Sequence, residues 1–550
     1  MVLQSLVANG VRFLFGVPGD SHNALLDALH DANGDAHFIA CRHEGGAAFM
    51  AEAYAKFTGR PGVCAVTRGP GAANAAVGVH TAFQDSTPLV VLIGQVDRNH
   101  RDREAFQEID HRSFYRTLTK WVAEVDQPER LPEYLSRAFH AAQSGRPGPV
   151  ALALPEDVLS ADVPMPATRP AKPPIAAVGE AAVVAALAFM AKAARPLFIV
   201  GGAGWTPQAS TDLARFAESN RMPVATAFCR QDAYDNRLST YVGHVGIGID
   251  PALARSIVES DLLIVVGPRL GEMTTSGYSL IEAPYPEQRL IHVFPGVEEL
   301  GRVYAPDLAI AAAPASFLAA IAERRLNKAG PWHDWTAAAR RAFEAYVQPR
   351  GNPGELQLAE AIHALDMRLP EDAVVCSGAG AFAPWLHRFF PYKRPRTQLA
   401  STAGAMGYGV PAAVAAKLAA PARTVVALAG DGCFQMTMQE LGTAVQYGAN
   451  IVVLVFNDRT RRSIRIDQER RYPGHGTAGD WVNPDFPALA RSYGALGLRA
   501  ASNAEFEAAL VEALTADRPV VIELALDPQA IDPSVTPALV HARATGEQEA

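Results

Sequence analysis

The chain has 550 residues, 49% of them hydrophobic, with 49 Lys and Arg against 57 Asp and Glu for a net charge of −8. That length implies several domains of about 150 to 200 residues, and the acidic balance lacks the basic footprint of a nucleic-acid binder. No run of about 18 apolar residues is present to span a membrane, no basic-then-apolar leader opens the chain, and Cys41, Cys64, Cys229, Cys376 and Cys433 lack CxxC or CxxH spacing, so they read as reduced thiols of a cytoplasmic protein and not as zinc ligands.

In chain order, the text opens directly in a helix, as if a preceding turn were clipped. Residues 13–16 then read as a strand running into the turn Val17-Pro18-Gly19, and 23–29 as an amphipathic helix. Arg42-His43-Glu44 follows another strand and starts a helix of small residues. Residues 63–67, 89–93 and 150–154 are short apolar runs closed by Gly or Pro, the pattern of strands buried on both faces. Residues 1–160 are therefore expected to form a doubly wound parallel sheet. A Pro- and Ala-rich linker covers 160–178. Residues 180–330 repeat the pattern in strands at 196–200, 262–267 and 289–293. Their turn Gly201-Gly202-Ala203-Gly204 lacks the full GxGxxG fingerprint and is expected to be structural. Helical text at 332–347 leads to a third α/β domain, 355–530, whose last strand is 519–524, and the tail from Asp532 carries no pattern.

The chemistry concentrates in that third domain. Residues 424–429 form a pure apolar strand that ends in Gly430-Asp431-Gly432-Cys433, and 451–456 form the next, ending in Asn457-Asp458. In a parallel sheet those ends lie side by side, where open α/β folds bind ligands. Carboxylates there, beside a helix start, suit Mg²⁺ bound to a diphosphate. Taken alone, Gly-Asp-Gly could equally be a tight turn. Likewise Glu44 could merely complement a helix dipole.

Together these segments resemble the thiamine diphosphate (ThDP) enzymes, specifically those of the acetolactate synthase type, over about residues 1 to 530. The family follows Gly-Asp-Gly with an Asn-Asn pair; here the second position is Asp458, and 458 − 431 = 27 matches the family's spacing. The resemblance implies that Asp431, Asp458 and the Thr460 carbonyl hold Mg²⁺. It implies that Glu44 bonds the aminopyrimidine and promotes the imino tautomer that deprotonates C2 of the thiazolium. It implies that Met406, with 431 − 406 = 25 fitting the family, forces the bent cofactor shape. Gly69, Pro70 and Asn74 would complete the first half of the site. Ser377, Gly378 and Gly380 would offer backbone amides to the diphosphate, and Gly430, Gly432, Cys433 and Ile464 would line the cofactor. Phe106 and Gln107 would face the substrate from a partner subunit. Asn483-Pro484-Asp485-Phe486 also resembles the family, with a structural role expected.

Some positions stay open. Asp20 occupies a place where 2-oxo acid decarboxylases carry a proton-handling Asp, yet the N-cap of the following helix is the slightly favoured reading. His22 beside it is expected at the surface. Arg459-Thr460-Arg461-Arg462-Ser463-Ile464-Arg465 departs from the family, as do Asp458 and Ala381. The arginines could bind phosphate or carboxylate groups, including a CoA-type ligand, form a solvated face, or mark a relative that has lost ThDP.

The expected activity is ThDP- and Mg²⁺-dependent making or breaking of a C–C bond next to a carbonyl, as in 2-oxo acid decarboxylation or carboligation. A 2-hydroxyacyl-CoA lyase, a simple decarboxylase and a non-catalytic member of the fold are the alternatives. FAD is an option raised by the resemblance without a motif to hold it. A homodimer or homotetramer acting on a small 2-oxo acid or acyl substrate is implied, with no nucleic acid or membrane partner.

Overall fold

The computed structural model describes residues 1–31, 34–164, 168–202, 204–326, 330–460, 462–475, 482–530, 532–533 and 540; the side chains of Arg462, Ser463 and Arg465 lie outside the description. The described residues build three six-stranded sheets, every neighbouring pair of strands parallel. The first contains β1 (Phe13–Gly16), β2 (His37–Ala40), β3 (Gly62–Thr67), β4 (Leu89–Gln95), β5 (Trp121–Glu124) and β6 (Pro149–Pro155). The second contains β7 (Pro196–Val200), β8 (Val224–Thr226), β9 (Tyr241–His244), β10 (Leu262–Val266), β11 (Arg289–Phe294) and β12 (Leu308–Ala311). The third contains β13 (Val374–Ser377), β14 (Gln398–Ala400), β15 (Val425–Gly430), β16 (Val452–Asn457), β17 (Leu496–Ala500) and β18 (Val520–Ala525).

The expected fold class, three parallel α/β sheets, is the one observed. Apolar runs located the central strands because those are buried on both faces. The interior β8 and the edge strands β5, β9, β12, β14 and β17 escaped that reading: each has only three to five residues, and β5, β12 and β17 are half-exposed. The strand orders carry more information. The first sheet runs β2-β1-β3-β4-β6-β5 and the third β14-β13-β15-β16-β18-β17, which is the same order one for one. The second runs β12-β11-β10-β7-β8-β9. Its switch point, where connections diverge to either side, falls between β7 and β10. In the outer sheets it falls between β1 and β3 and between β13 and β15. Ligand crevices of open sheets form there.

The first and third sheets share one apolar core. Helix Glu44–Thr58 packs on helix Gly409–Ala419, with the rings of Phe49 and Tyr408 edge to face 5.6 Å apart at the head of the contact. Its far side is as tight: a Cβ at Gly78 would overlap Ala48, and one at Gly62 would overlap the Ala51 carbonyl. In the middle domain, Gly201 and Gly202 do prove to make a close approach. Both have positive φ, and a Cβ at Gly202 would overlap the Gly267 carbonyl at the end of β10. Ala203 of that turn lies outside the described residues.

The second and third domains meet over Gln231, Asp232 and His387. The Gln231 amide donates to Oε1 of Gln398 at 2.6 Å, and Asp232 Oδ2 accepts from the Thr397 amide at 3.2 Å. Behind them the buried rings of His244 and His387 pack 5.5 Å apart. Burial pulls these imidazoles down to about 4 and about 3. In the unfolded chain each would take a proton near pH 6.5. Below about pH 6.5 the unfolded state thus binds more protons than the folded one, and stability falls as pH falls, by up to about 1.4 kcal/mol per pH unit for each ring. His387→Phe keeps a ring against Phe228, which lies 5.7 Å away. It is expected to flatten the loss of stability between about pH 6.5 and pH 5 by one ring's share, measured by urea unfolding; an unchanged slope would refute the assignment.

Candidate active site

At the switch point of the third sheet, the ends of β13, β15 and β16 open into a cavity of 270 Å³. Register places Gly430 opposite Phe456, so Asp431 and Asn457-Asp458 leave neighbouring strands at the same level. The described lining comprises Gly380, Met406, Gly430, Asp431, Gly432, Cys433, Asp458, Thr460 and Ile464, all singled out from sequence, together with Ala381, noted there as a departure, and Ala379, Phe382, Gly404 and Phe456. Ser377 and Gly378 stand behind it. The Gly378 amide already donates to the Leu428 carbonyl at 3.1 Å, so it has no hydrogen left for a diphosphate. This corrects its expected use.

Asp431 and Asp458 are buried, 4% and 6% exposed. Asp431 Oδ1 accepts from the Gly432 amide at 2.7 Å; Oδ2 accepts from the Arg459 amide at 3.1 Å and from Nδ2 of Asn483 at 2.7 Å. Asp458 Oδ1 accepts the Thr460 amide and hydroxyl at 2.7 and 2.6 Å. No Lys, Arg or His side chain is among the described residues that line the cavity. Two buried carboxylates on adjacent strand ends are oxygen donors of the kind that hard cations take. The described residues contain no cluster of three or more acidic, His or Cys side chains able to cage a metal by themselves. A hard cation such as Mg²⁺ needs no such cage when one or two carboxylates are joined by phosphate oxygens and water. The donor set therefore fits Mg²⁺ with a diphosphate. Arg461 and the side chains of Arg462 and Arg465 lie outside the described residues. Arg459 is described, exposed at φ 59°.

Met406 sits on a loop pinned to the Gly-Asp-Gly segment from below. The Gly407 amide donates to Cys433 Sγ at 3.1 Å, and the Thr437 hydroxyl donates to the Gly407 carbonyl at 2.7 Å. Burial pushes the Cys433 thiol up to about 11, so it serves as a neutral packing group.

The first-domain residues gather elsewhere. Glu44 is the first residue of its helix, where the dipole favours an anion. Its Oε2 accepts from Asn74 Nδ2 at 2.9 Å. Gly69, Pro70 and Gln107 line a separate open hollow with Ile109 and Phe114, and the Gly69 amide donates to the Gln107 carbonyl at 2.9 Å. Gly69-Pro70-Gly71 forms the first turn of helix Arg68–Asp85. Gln107 is held at φ 65° beside Phe106, which is 77% exposed. Asp20 is exposed at the end of β1 and does not cap the following helix, whose N-cap is His22 without a side-chain bond. His22 itself is buried, against expectation: the short turn Asp20–His22 carries it inward, and burial lowers its ring to about 4.

One carboxylate escaped the sequence reading altogether. Glu440, fully buried, accepts the backbone amides of Arg42 and His43 at 3.0 to 3.2 Å, across 397 and 398 residues. It seats the Glu44 helix on the third domain, and a Cβ at Gly46 would overlap it. Glu440 opens the helix Glu440–Gln446, and no local signal shows a contact that distant.

An acidic cavity at the third sheet's switch point, matched by a Glu-led helix on a sheet of identical strand order, is the arrangement of a thiamine diphosphate enzyme. The chain matches the models of the thiamine pyrophosphate enzyme N-terminal TPP binding domain over residues 1–114, its central domain over 183–321 and its C-terminal TPP binding domain over 378–524. It is 31% identical to the probable acetolactate synthase large subunit of Methanocaldococcus jannaschii, covering 98% of this chain and 93% of that protein. It is 32% identical to the acetolactate synthase large subunit of Haemophilus influenzae, covering 94% and 91%, and 32% identical to the acetolactate synthase isozyme 2 large subunit of Escherichia coli, covering 96% and 95%. The chain belongs to the thiamine pyrophosphate enzymes of the acetolactate synthase large-subunit type.

A Cβ at Gly378 would overlap Cys433 Sγ. Gly378→Ala is expected to lower stability by about 1–3 kcal/mol through overpacking, and Cys433→Ala in the same chain to restore most of it, as read from a double-mutant cycle of urea unfolding. Additive losses would refute this contact as the reason for the glycine.

Proposed function

We propose that the enzyme binds ThDP with Mg²⁺ in the third-domain cavity and makes or breaks the C–C bond next to the carbonyl of a 2-oxo acid, as the names of its relatives suggest. The observation that carries this reading is the pair of buried carboxylates, Asp431 and Asp458, that neighbouring strand ends bring to one cavity. These two and the Thr460 carbonyl would hold the cation. Gly380, Gly430, Gly432, Cys433, Met406 and Ile464 would shape the cradle. When bound, ThDP supplies a carbon nucleophile that adds to the substrate carbonyl and accepts the electron pair of the broken bond. Glu44, oriented through Asn74, would hold and pass the proton at the aminopyrimidine, with Gln107 and Asp20 meeting the substrate.

We further infer that the site closes between two copies. Every described residue lining the cavity belongs to the third domain, whereas Glu44, Gly69 and Gln107 belong to the first. Around the latter, Phe106, Phe114 and Val77 are 77%, 40% and 45% exposed, an apolar surface that a partner of the same chain would cover. The domain limits 1–160, 180–330 and 355–530 and a cytoplasmic location belong to this reading. All five cysteines are free and buried, which suits a reducing compartment. A nucleotide has room in a 570 Å³ cavity at the second sheet's switch point, bounded by Gly202, Gly267, Arg230, Arg269 and Lys56. The resemblance makes FAD the ligand to test there, by visible absorbance of the purified protein.

Calorimetry of ThDP into the Mg²⁺-loaded protein is expected to show binding that Asp431→Ala abolishes. Glu44→Gln should retain binding while turnover of a 2-oxo acid falls about 10²- to 10⁴-fold; absence of binding to the wild type would end the reading. Mixing Glu44→Gln with Asp431→Ala chains under exchange should restore about a quarter of wild-type activity, since half of the dimers are mixed and each has one intact site. If both half-sites belonged to one chain, mixing would restore nothing.

A further inference from the structure

The acidic site hangs on one amide, in a segment from which only a structural role is expected on sequence. Asn483 Nδ2 donates to Asp431 Oδ2 at 2.7 Å and to Asn457 Oδ1 at 2.9 Å, while its own Oδ1 accepts from Gln435 Nε2 at 2.9 Å. The amide group has two hydrogens, and both are committed. Asn457 in turn donates through Nδ2 to the buried Glu523 Oε1 at 2.7 Å. The ends of β15, β16 and β18 are thus joined by a continuous chain of side-chain hydrogen bonds that passes through Asn483.

We propose that Asn483 is a positioning residue for the divalent cation, resting on the reading of Asp431 and Asp458 as its ligands. With the Arg459 amide and Asn483 both on Oδ2, the Asp431 carboxylate cannot rotate, and Oδ1 remains as the oxygen with room for a cation: among the described residues it accepts only the Gly432 amide. Mere support of helix Phe486–Ser492 does not explain the arrangement. That helix is capped by Asp485, whose side chain accepts the Ala488 amide at 2.8 Å. The Asn483 amide instead reaches residues 26 and 52 positions away. Outer-shell partners of metal ligands carry about 10- to 100-fold of metal affinity.

The test is titration of Mg²⁺ into the full-length protein at saturating ThDP, by calorimetry, with kcat measured at saturating Mg²⁺. Asn483→Ala is expected to raise the Mg²⁺ Kd about 10- to 100-fold while kcat at saturating Mg²⁺ returns close to wild type. Gln435→Ala, which releases the anchor of Asn483 together with a 3.3 Å bond from Gln435 Nε2 to the Asp431 carbonyl, should raise Kd less and in the same direction. Asp485→Ala, which uncaps the helix, should lower Tm and leave Kd alone. An Asn483→Ala protein with wild-type Kd, or an Asp485→Ala protein shifted as much as Asn483→Ala, would overturn the proposal. Should Asn483→Ala fail to fold, an unchanged Kd in Gln435→Ala overturns it instead. A wild type that binds no Mg²⁺ overturns this proposal and the metal reading together, whereas normal wild-type binding with an unaffected Asn483→Ala overturns this one alone.

Discussion

Helices Glu44–Thr58 and Gly409–Ala419, both rich in glycine and alanine, pack on each other, and the placement of both half-sites follows from how closely they approach. Small faces let two backbones come near enough for a single core to run through the first and third sheets. Area alone would leave such smooth faces free to slide. A buried polar network fixes the register: Lys56 lies between Glu52 and Asp85, the Tyr408 hydroxyl donates to Glu52 at 2.6 Å, and the Thr87 hydroxyl donates to the same carboxylate at 2.7 Å. Burial raises the Glu52 carboxyl. Lys56 is raised despite its own burial, because the two acidic partners hold its proton. Buried ion pairs add little net stability, but they penalise every register in which a charge is left without its partner.

That network reaches the chemistry at both ends. Tyr408 is two residues from Met406, so the loop beneath the cavity is tied to the first domain's helix. Eight residues before Glu52 in the same helix is Glu44, and Glu440 of the third domain accepts the amides just ahead of it. Any shift between the two domains would therefore move Glu44 and Met406 together. The acidic cavity is set in the same way, from neighbouring strands rather than from a local loop. Parallel register brings Asp431 level with Asn457, and Asn483 joins them from a third segment.

Much of this was legible in the residues themselves. Apolar runs ending in Gly-Asp-Gly and Asn-Asp located β15 and β16, because a strand buried on both faces has no polar alternation to hide it. Those strand ends alone left Gly-Asp-Gly as either a tight turn or a ligand site, and the family spacing between Asp431 and Asp458 is what marked them as metal ligands. Glu44 alone could have complemented a helix dipole, and the resemblance together with Gly430-Asp431-Gly432 is what singled it out.

Tertiary structure decided what depends on distant partners. Nothing near Gly378 in the chain shows that its amide is used by Leu428, nothing near His22 shows that a short turn buries it, and nothing near Glu440 or Asn483 shows which groups, hundreds or tens of residues away, they bind. The separation of the cavity from Glu44 and Gln107 has the same character. Candidate side chains and the strand ends that present them could be read from the residues alone, because burial and periodicity are local. Only the packing of one sheet against another decided which of those side chains meet, because hydrogen bonds between segments depend on register and leave no local mark.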